Sequence, residues 1–213
     1  MGDKTVGLTL FIETIETIAD NKYVLGDLLV EIGVSGPDLE ATLSMIAMAQ
    51  GELGHARLLY NWAFDLKGTK KQEIERQTGK AFASVVAVNS WIDLIGSLYV
   101  VNVGLELALK AMLDGRHADV VNRINKLLKE QKEHIIYSRG WVEQLLNDQG
   151  AVPRKIDESI KKVTTEVRSW LKSLEDSAAL VEEGYLKAGV NLTDPFQSKL
   201  ASLQIQRAES DAV

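Results

Sequence analysis

The chain has no cysteine, only three prolines (Pro37, Pro153 and Pro195), and aromatic side chains make up just 6% of it. The first absence excludes disulfides, thiolate metal ligands and cysteine nucleophiles together, and it fits a reducing compartment. So little proline leaves long stretches free to run as uninterrupted helix. Also lacking is any stripe of Lys and Arg. The 24 basic residues are scattered among 30 acidic ones and the net charge is −6, so no surface is prepared to neutralise phosphates and nucleic acid is not an expected partner. No segment of membrane-spanning length is free of charge, so no membrane contact is expected. The N-terminal "MGDKTVGLTLFIETIETIAD" is interrupted by Glu13 and Glu16 and lacks a signal-peptide cleavage pattern, so a cytoplasmic protein is expected. Gly-rich phosphate loops, nucleophile elbows and Cys/His zinc patterns are missing as well.

What is present is helical periodicity. With 213 residues, 46% of them hydrophobic, the chain is long enough for one substantial core, and one domain over 1–213 is expected. Apolar spacings of three and four recur, while strict alternation over strand length is hard to find. An all-α fold is expected, with helices near 8–33, 39–67, 89–113, 118–147, 155–187 and 196–208. The first four form the core bundle and the rest are additional C-terminal helices. "GVSGPD", "KGTKKQ", "LDGRHAD" and "NDQGAVP" end the first four. Segment 70–88 is expected to cross over, with a short helix, and the tail "QRAESDAV" to be loose.

The core seams of the four long helices share one irregularity. They read Phe11, Ile15, Ile18, Lys22, Leu25, Leu29, Ile32; Met45, Met48, Glu52, His55, Leu59, Trp62, Leu66; Trp91, Ile95, Leu98, Asn102, Leu105, Leu109, Met112; and Val120, Ile124, Leu127, Gln131, His134, Ser138, Trp141. Each is apolar except near mid-length. Lys22 precedes Glu52 by 30 positions and Asn102 precedes Gln131 by 29, so two helical hairpins present polar groups at matching depth. That is the seam of a four-helix bundle with one polar layer, about 20 Å from the turns at ~1.5 Å per residue.

Ferritin-like carboxylate bundles hold two metals with a Glu from each of two helices and a Glu-x-x-His from each of the other two, because positions i and i+3 share a face. Here the six positions carry Lys22, Glu52 with His55, Asn102, and Gln131 with His134. The spacing is that of a di-metal site, but three of four carboxylates are replaced. Two divalent ions would find Glu52 alone, already cancelled by Lys22. The charge count favours a metal-free layer in which Lys22 and Glu52 pair, bordered by the amides, with neutral hydrogen-bonded histidines and no cofactor. The alternative is one ion, iron being the candidate, held by Glu52, His55 and His134 in a two-histidine-one-carboxylate arrangement, which requires Lys22 to turn away. Of the remaining candidates, His117 reads as a solvated loop residue. Asp93, Glu130 and Glu133 read as surface or helix–helix pairs, and Trp62, Trp91, Trp141 and Trp170 as packing. Asn191 heads a glycosylation triplet that carries no weight without a secretory signal.

"ADNKYVLGDLLVEIG", "SGPDLEATLSMIAMAQGELGHARLLYNWAFDL" and "EQKEHIIYSRGWVEQL" resemble the phenylacetate-catabolism oxygenase subunits, the ferritin-like pair of bacterial phenylacetyl-CoA epoxidase, over about residues 15–147. The resemblance implies two related bundles, a catalytic one with a complete di-iron site and a structural one that has lost its ligands, and the chain is closest to the second, the C-type subunit. By position, Glu52, His55 and His134 fall where ligands would be, while Lys22, Asn102 and Gln131 replace acidic ones. Retention of the Glu-x-x-His of the second helix departs from a fully structural subunit. The partner so implied is the homologous catalytic di-iron subunit; the rival possibility is a stand-alone homodimeric bundle with no oxygenase link.

Overall fold

A computed structural model describes residues 5–115 and 117–210, with the backbone alone for 118, 119, 121, 122 and 204–210. The first three long helices in chain order begin where a side chain takes up a free N–H. Helix α1 (Val6–Glu31) starts at Thr5, whose hydroxyl accepts from the Leu8 N–H at 3.3 Å. After a 3₁₀ turn over Gly33–Ser35, α2 (Leu39–Lys67) starts at Asp38, whose carboxylate accepts from the Ala41 N–H at 2.7 Å. Glu40 in its first turn and Lys67 in its last oppose the helix dipole, and Gly68 stops it at φ 66°. A short α3 (Ala83–Val86) precedes α4 (Trp91–Gly115), which Ser90 opens. The Ser90 hydroxyl donates to Asp93 Oδ2 at 2.6 Å and accepts from the Asp93 N–H at 3.2 Å. Then follow α5 (Ala118–Leu146), α6 (Val152–Glu175) with Pro153 in its first turn, α7 (Ala178–Glu182) and α8 (Thr193–Ser210).

The chain is all-α, a ferritin-like bundle, with no strand among the described residues. Helix α1 packs along α2, and α4 lies between α5 and α6, so two hairpins close on each other while α6 and α8 cover the far side of α4. By length and composition α4 could cross a membrane, but 83% of its apolar window is buried here by its neighbours. Gly104 lets α6 approach: a Cβ there would collide with Val167.

The seams hold along their length. Phe11, Ile15, Ile18, Leu25 and Leu29 of α1, and their counterparts on α2, α4 and α5, are buried, and only the end residues Ile32, Leu66, Trp91 and Trp141 are partly exposed. The expected helix over 155–187 is interrupted. It stops at Glu175, and Ser177 begins α7 by accepting from the Leu180 N–H at 3.4 Å, a start signal inside what reads as continuous periodicity. Helix α8 starts three residues earlier than expected, at Thr193, because Glu175 Oε1 accepts the N–H groups of Leu192 and Thr193 at 2.5 and 2.6 Å. It also runs through Ser210, into the tail expected to be loose, while 211–213 lie outside the described residues, as does Arg116 in the α4–α5 turn.

Candidate functional site

The six polar seam positions converge at the centre of the bundle. Lys22, Glu52, Asn102 and Gln131 have no exposed surface, and His55 and His134 are 4% and 8% exposed. Lys22 Nζ lies 2.9 Å from Glu52 Oε2 and donates to Asn102 Oδ1 at 3.1 Å. The other carboxylate oxygen, Glu52 Oε1, accepts from Asn102 Nδ2 at 3.0 Å and meets His134 Nδ1 at 2.6 Å. Gln131 Nε2 reaches across to the Asn102 carbonyl at 2.7 Å. His55 turns the other way, its Nε2 2.8 Å from Oε2 of Glu130, an exposed carboxylate on α5. Gly51 makes room for His134, since a Cβ there would sit 2.7 Å from its Cε1.

Charge and hydrogen bonding agree within this network. Burial alone would push the Glu52 carboxyl up, but the Lys22 ammonium and the His134 hydrogen bond outweigh it and hold the group well below the usual carboxylate range. An ionised Glu52 only accepts, so His134 carries its hydrogen on Nδ1. Burial and then the Lys22 ammonium push His55 down, so its ring is neutral and donates through Nε2 to Glu130. Two acceptors in the layer lack a partner, His55 Nδ1 and Gln131 Oε1.

Two divalent cations do not fit this set. They require several anionic donors, whereas Glu52 is the one carboxylate among the six positions, and an ammonium already lies 2.9 Å from it. A single ion on Glu52, His55 and His134 fares little better as the side chains stand: His55 faces Glu130, and His134 Nδ1 is engaged with Glu52. Among the described residues no three His, Asp or Glu side chains are grouped closely enough to hold a metal ion. Two clefts of about 740 and 670 Å³ run along the 71–80 crossover and include no residue of the layer.

Glu130 makes the helix–helix pair expected of it, and Asp93 is taken up by the start of α4. His117 is not the solvated loop residue expected. It is half-buried and stacks on Tyr185 at 4.7 Å, a partner 68 positions away that periodicity does not reveal. The tryptophans pack as expected: Trp62 is buried against Phe11, Trp91 meets Trp141 edge-on at 4.9 Å, and Trp170 meets Phe82 at 5.7 Å. Sequence reading missed a second buried polar row on α1. Asp20 accepts from the Tyr60 hydroxyl at 2.5 Å, the Thr78 N–H and hydroxyl at 2.8 and 2.9 Å, and the Lys80 N–H at 2.6 Å. Glu16 pairs with Lys67 and Lys80, and Asn21 Oδ1 accepts from the Phe82 N–H at 3.0 Å. The signal was available, since Glu16 and Asp20 stand four apart beside the apolar seam. These residues tether the crossover.

Residues 5–210 match the model of the family described as phenylacetic acid catabolic protein. The chain is also similar to the component designated C of the 1,2-phenylacetyl-CoA epoxidase of Escherichia coli strain K12, 25% identical over 173 residues that span 78% of this chain and 70% of that protein.

Proposed function

Since the chain belongs to the phenylacetic acid catabolic protein family, we propose that it is a non-catalytic structural subunit of a multicomponent phenylacetyl-CoA epoxidase, acting in the cytoplasm beside a related bundle that carries the di-iron site. The observation that carries this reading is the Lys22 ammonium inside the ligand layer, 2.9 Å from the one carboxylate there. A cation at that point removes the counter-charge iron would need and turns the layer into a neutral hydrogen-bonded plug. The similarity to the C component of an epoxidase supports the role and the pathway. In this reading Glu52, His55 and His134 keep ligand positions without binding metal, and their task is to fix the register of the two hairpins.

Elemental analysis of the chain purified from iron-supplied cells, together with co-expression beside the candidate catalytic subunit, tests this. The expected result is sub-stoichiometric iron, no oxygen-dependent turnover by the isolated chain, and a stable complex. A second reading, a ferritin-like oxidase or oxygenase with its own metal, is favoured by one observation: His55 Nδ1 is buried without a hydrogen-bond partner, three residues from a retained Glu52. Stoichiometric iron with turnover would select it.

A further inference from the structure

The outer face of α2 differs from those of its neighbours. Between Leu43 and Gly54 its exposed residues are Leu43, Ile46, Ala47, Gln50 and Gly54, none of them charged. Leu39, Leu43, Ile46 and Leu58 are 73%, 58%, 40% and 37% exposed. The exposed run of α6, by contrast, includes Lys155, Glu158, Lys161, Lys162 and Arg168. Positions 39, 43, 46, 50, 54 and 57 return to one side of a helix, so the uncharged residues form a continuous stripe. Apolar enrichment with depleted charge is the composition of an interface core rather than of a solvated face.

A glycine makes the same point independently. Gly7, Gly26, Gly51, Gly96, Gly104 and Gly115 each face atoms that a Cβ would meet, whereas helical Gly54 and Gly140 face nothing within 4 Å. Glycine in mid-helix is destabilising by ~0.5–1 kcal/mol relative to alanine, and no contact within the chain offsets that at Gly54.

We propose that the outer face of α2 is a self-association surface on which a second copy of this chain lays its own α2 antiparallel. The stripe is bounded by exposed Glu40 at one end and exposed Arg57 at the other. Antiparallel pairing about a midpoint between Met48 and Ala49 sets the acidic end of each helix toward the basic end of the other. It also brings Leu43 level with Gly54 of the second copy, since the two are equidistant from that midpoint. A parallel arrangement would instead gather Glu40 with Glu40 and Arg57 with Arg57. Such self-complementarity is what a two-fold contact between identical chains requires. The 29 residues of α2 reach about 43 Å at ~1.5 Å per residue, long enough for a dimer contact. The inference goes beyond the proposed function and does not rest on it.

Sedimentation velocity on the full chain over a wide concentration range tests it. The expected species is a reversible dimer of twice 23.5 kDa. Leu43→Glu is expected to leave a folded monomer with unchanged far-ultraviolet circular dichroism. Glu40→Arg and Arg57→Glu alone should each loosen the dimer roughly tenfold by placing like charges together, and the two combined should restore it. A chain that stays monomeric, a dimer indifferent to Leu43→Glu, or single reversals without rescue in the double variant overturns the proposal. So does capture by a related subunit through Leu43 while the isolated chain remains a monomer, which would assign the face to that subunit.

Discussion

Lys22 is a fully buried ammonium held between a carboxylate and an amide oxygen. Lys22→Ala takes the counter-charge from a fully buried Glu52 and leaves it only the Asn102 amide and the His134 ring, so it is expected to destabilise the fold by about 3–5 kcal/mol in urea titration, whereas Lys22→Met with Glu52→Gln should lose much less. The double substitution Lys22→Glu with Gln131→Glu restores acidic groups at ligand positions and is expected to raise iron uptake by the purified chain; unchanged uptake would count against missing counter-charge as the obstacle. His55 supplies a pH test. Its folded-state pKa is depressed by burial first and by Lys22 second, so below its ordinary value of about 6.5 the unfolded chain binds the extra proton and the folded one does not. Stability is therefore expected to fall as pH drops from about 7 toward 5, and His55→Gln to flatten that slope. The six layer residues were legible because polar side chains interrupt otherwise apolar seams. Which atoms meet was not, and the turn of His55 toward Glu130 came from the packing of α2 against α5.

At the scale of elements, the close approaches decide. Gly51→Ala gains helix propensity but drives a Cβ into the His134 ring, so a net loss of roughly 1–3 kcal/mol is expected from overpacking, read as a lower thermal midpoint. The crossover between α2 and α4 depends on Asp20, which gathers Thr78 and Lys80. Asp20→Ala is expected to quicken tryptic cleavage at Lys70, Lys71 and Arg76 several-fold while leaving the long helices intact; no change would mean the tether is redundant. Apolar periodicity predicted the four core helices to within a few residues. It failed over 155–187, where α6 stops at Glu175 with Asp176 as its cap and Ser177 begins α7 without disturbing the three-four spacing.

At the scale of the molecule, two hairpins of similar design face each other across a layer whose charges cancel internally. The layer also fixes depth, since a slip of one hairpin along the other would break the contacts that cross between them, from Lys22 and Glu52 to Asn102 and from Glu52 to His134. Helix α4 shows why composition alone misleads: a segment apolar enough to cross a membrane is apolar here because α5, α6 and α8 enclose it.

The order of polar and apolar residues by itself determined an all-helical bundle, its seams, the depth of its polar layer and the deficit of anions there, because helix periodicity and charge are properties of the chain read locally. Only the tertiary structure decided that Lys22 spans Glu52 and Asn102, that His117 stacks on Tyr185, and that Asp20 holds the crossover. Those contacts join residues tens of positions apart, and their geometry follows from how the helices pack rather than from any spacing along one of them.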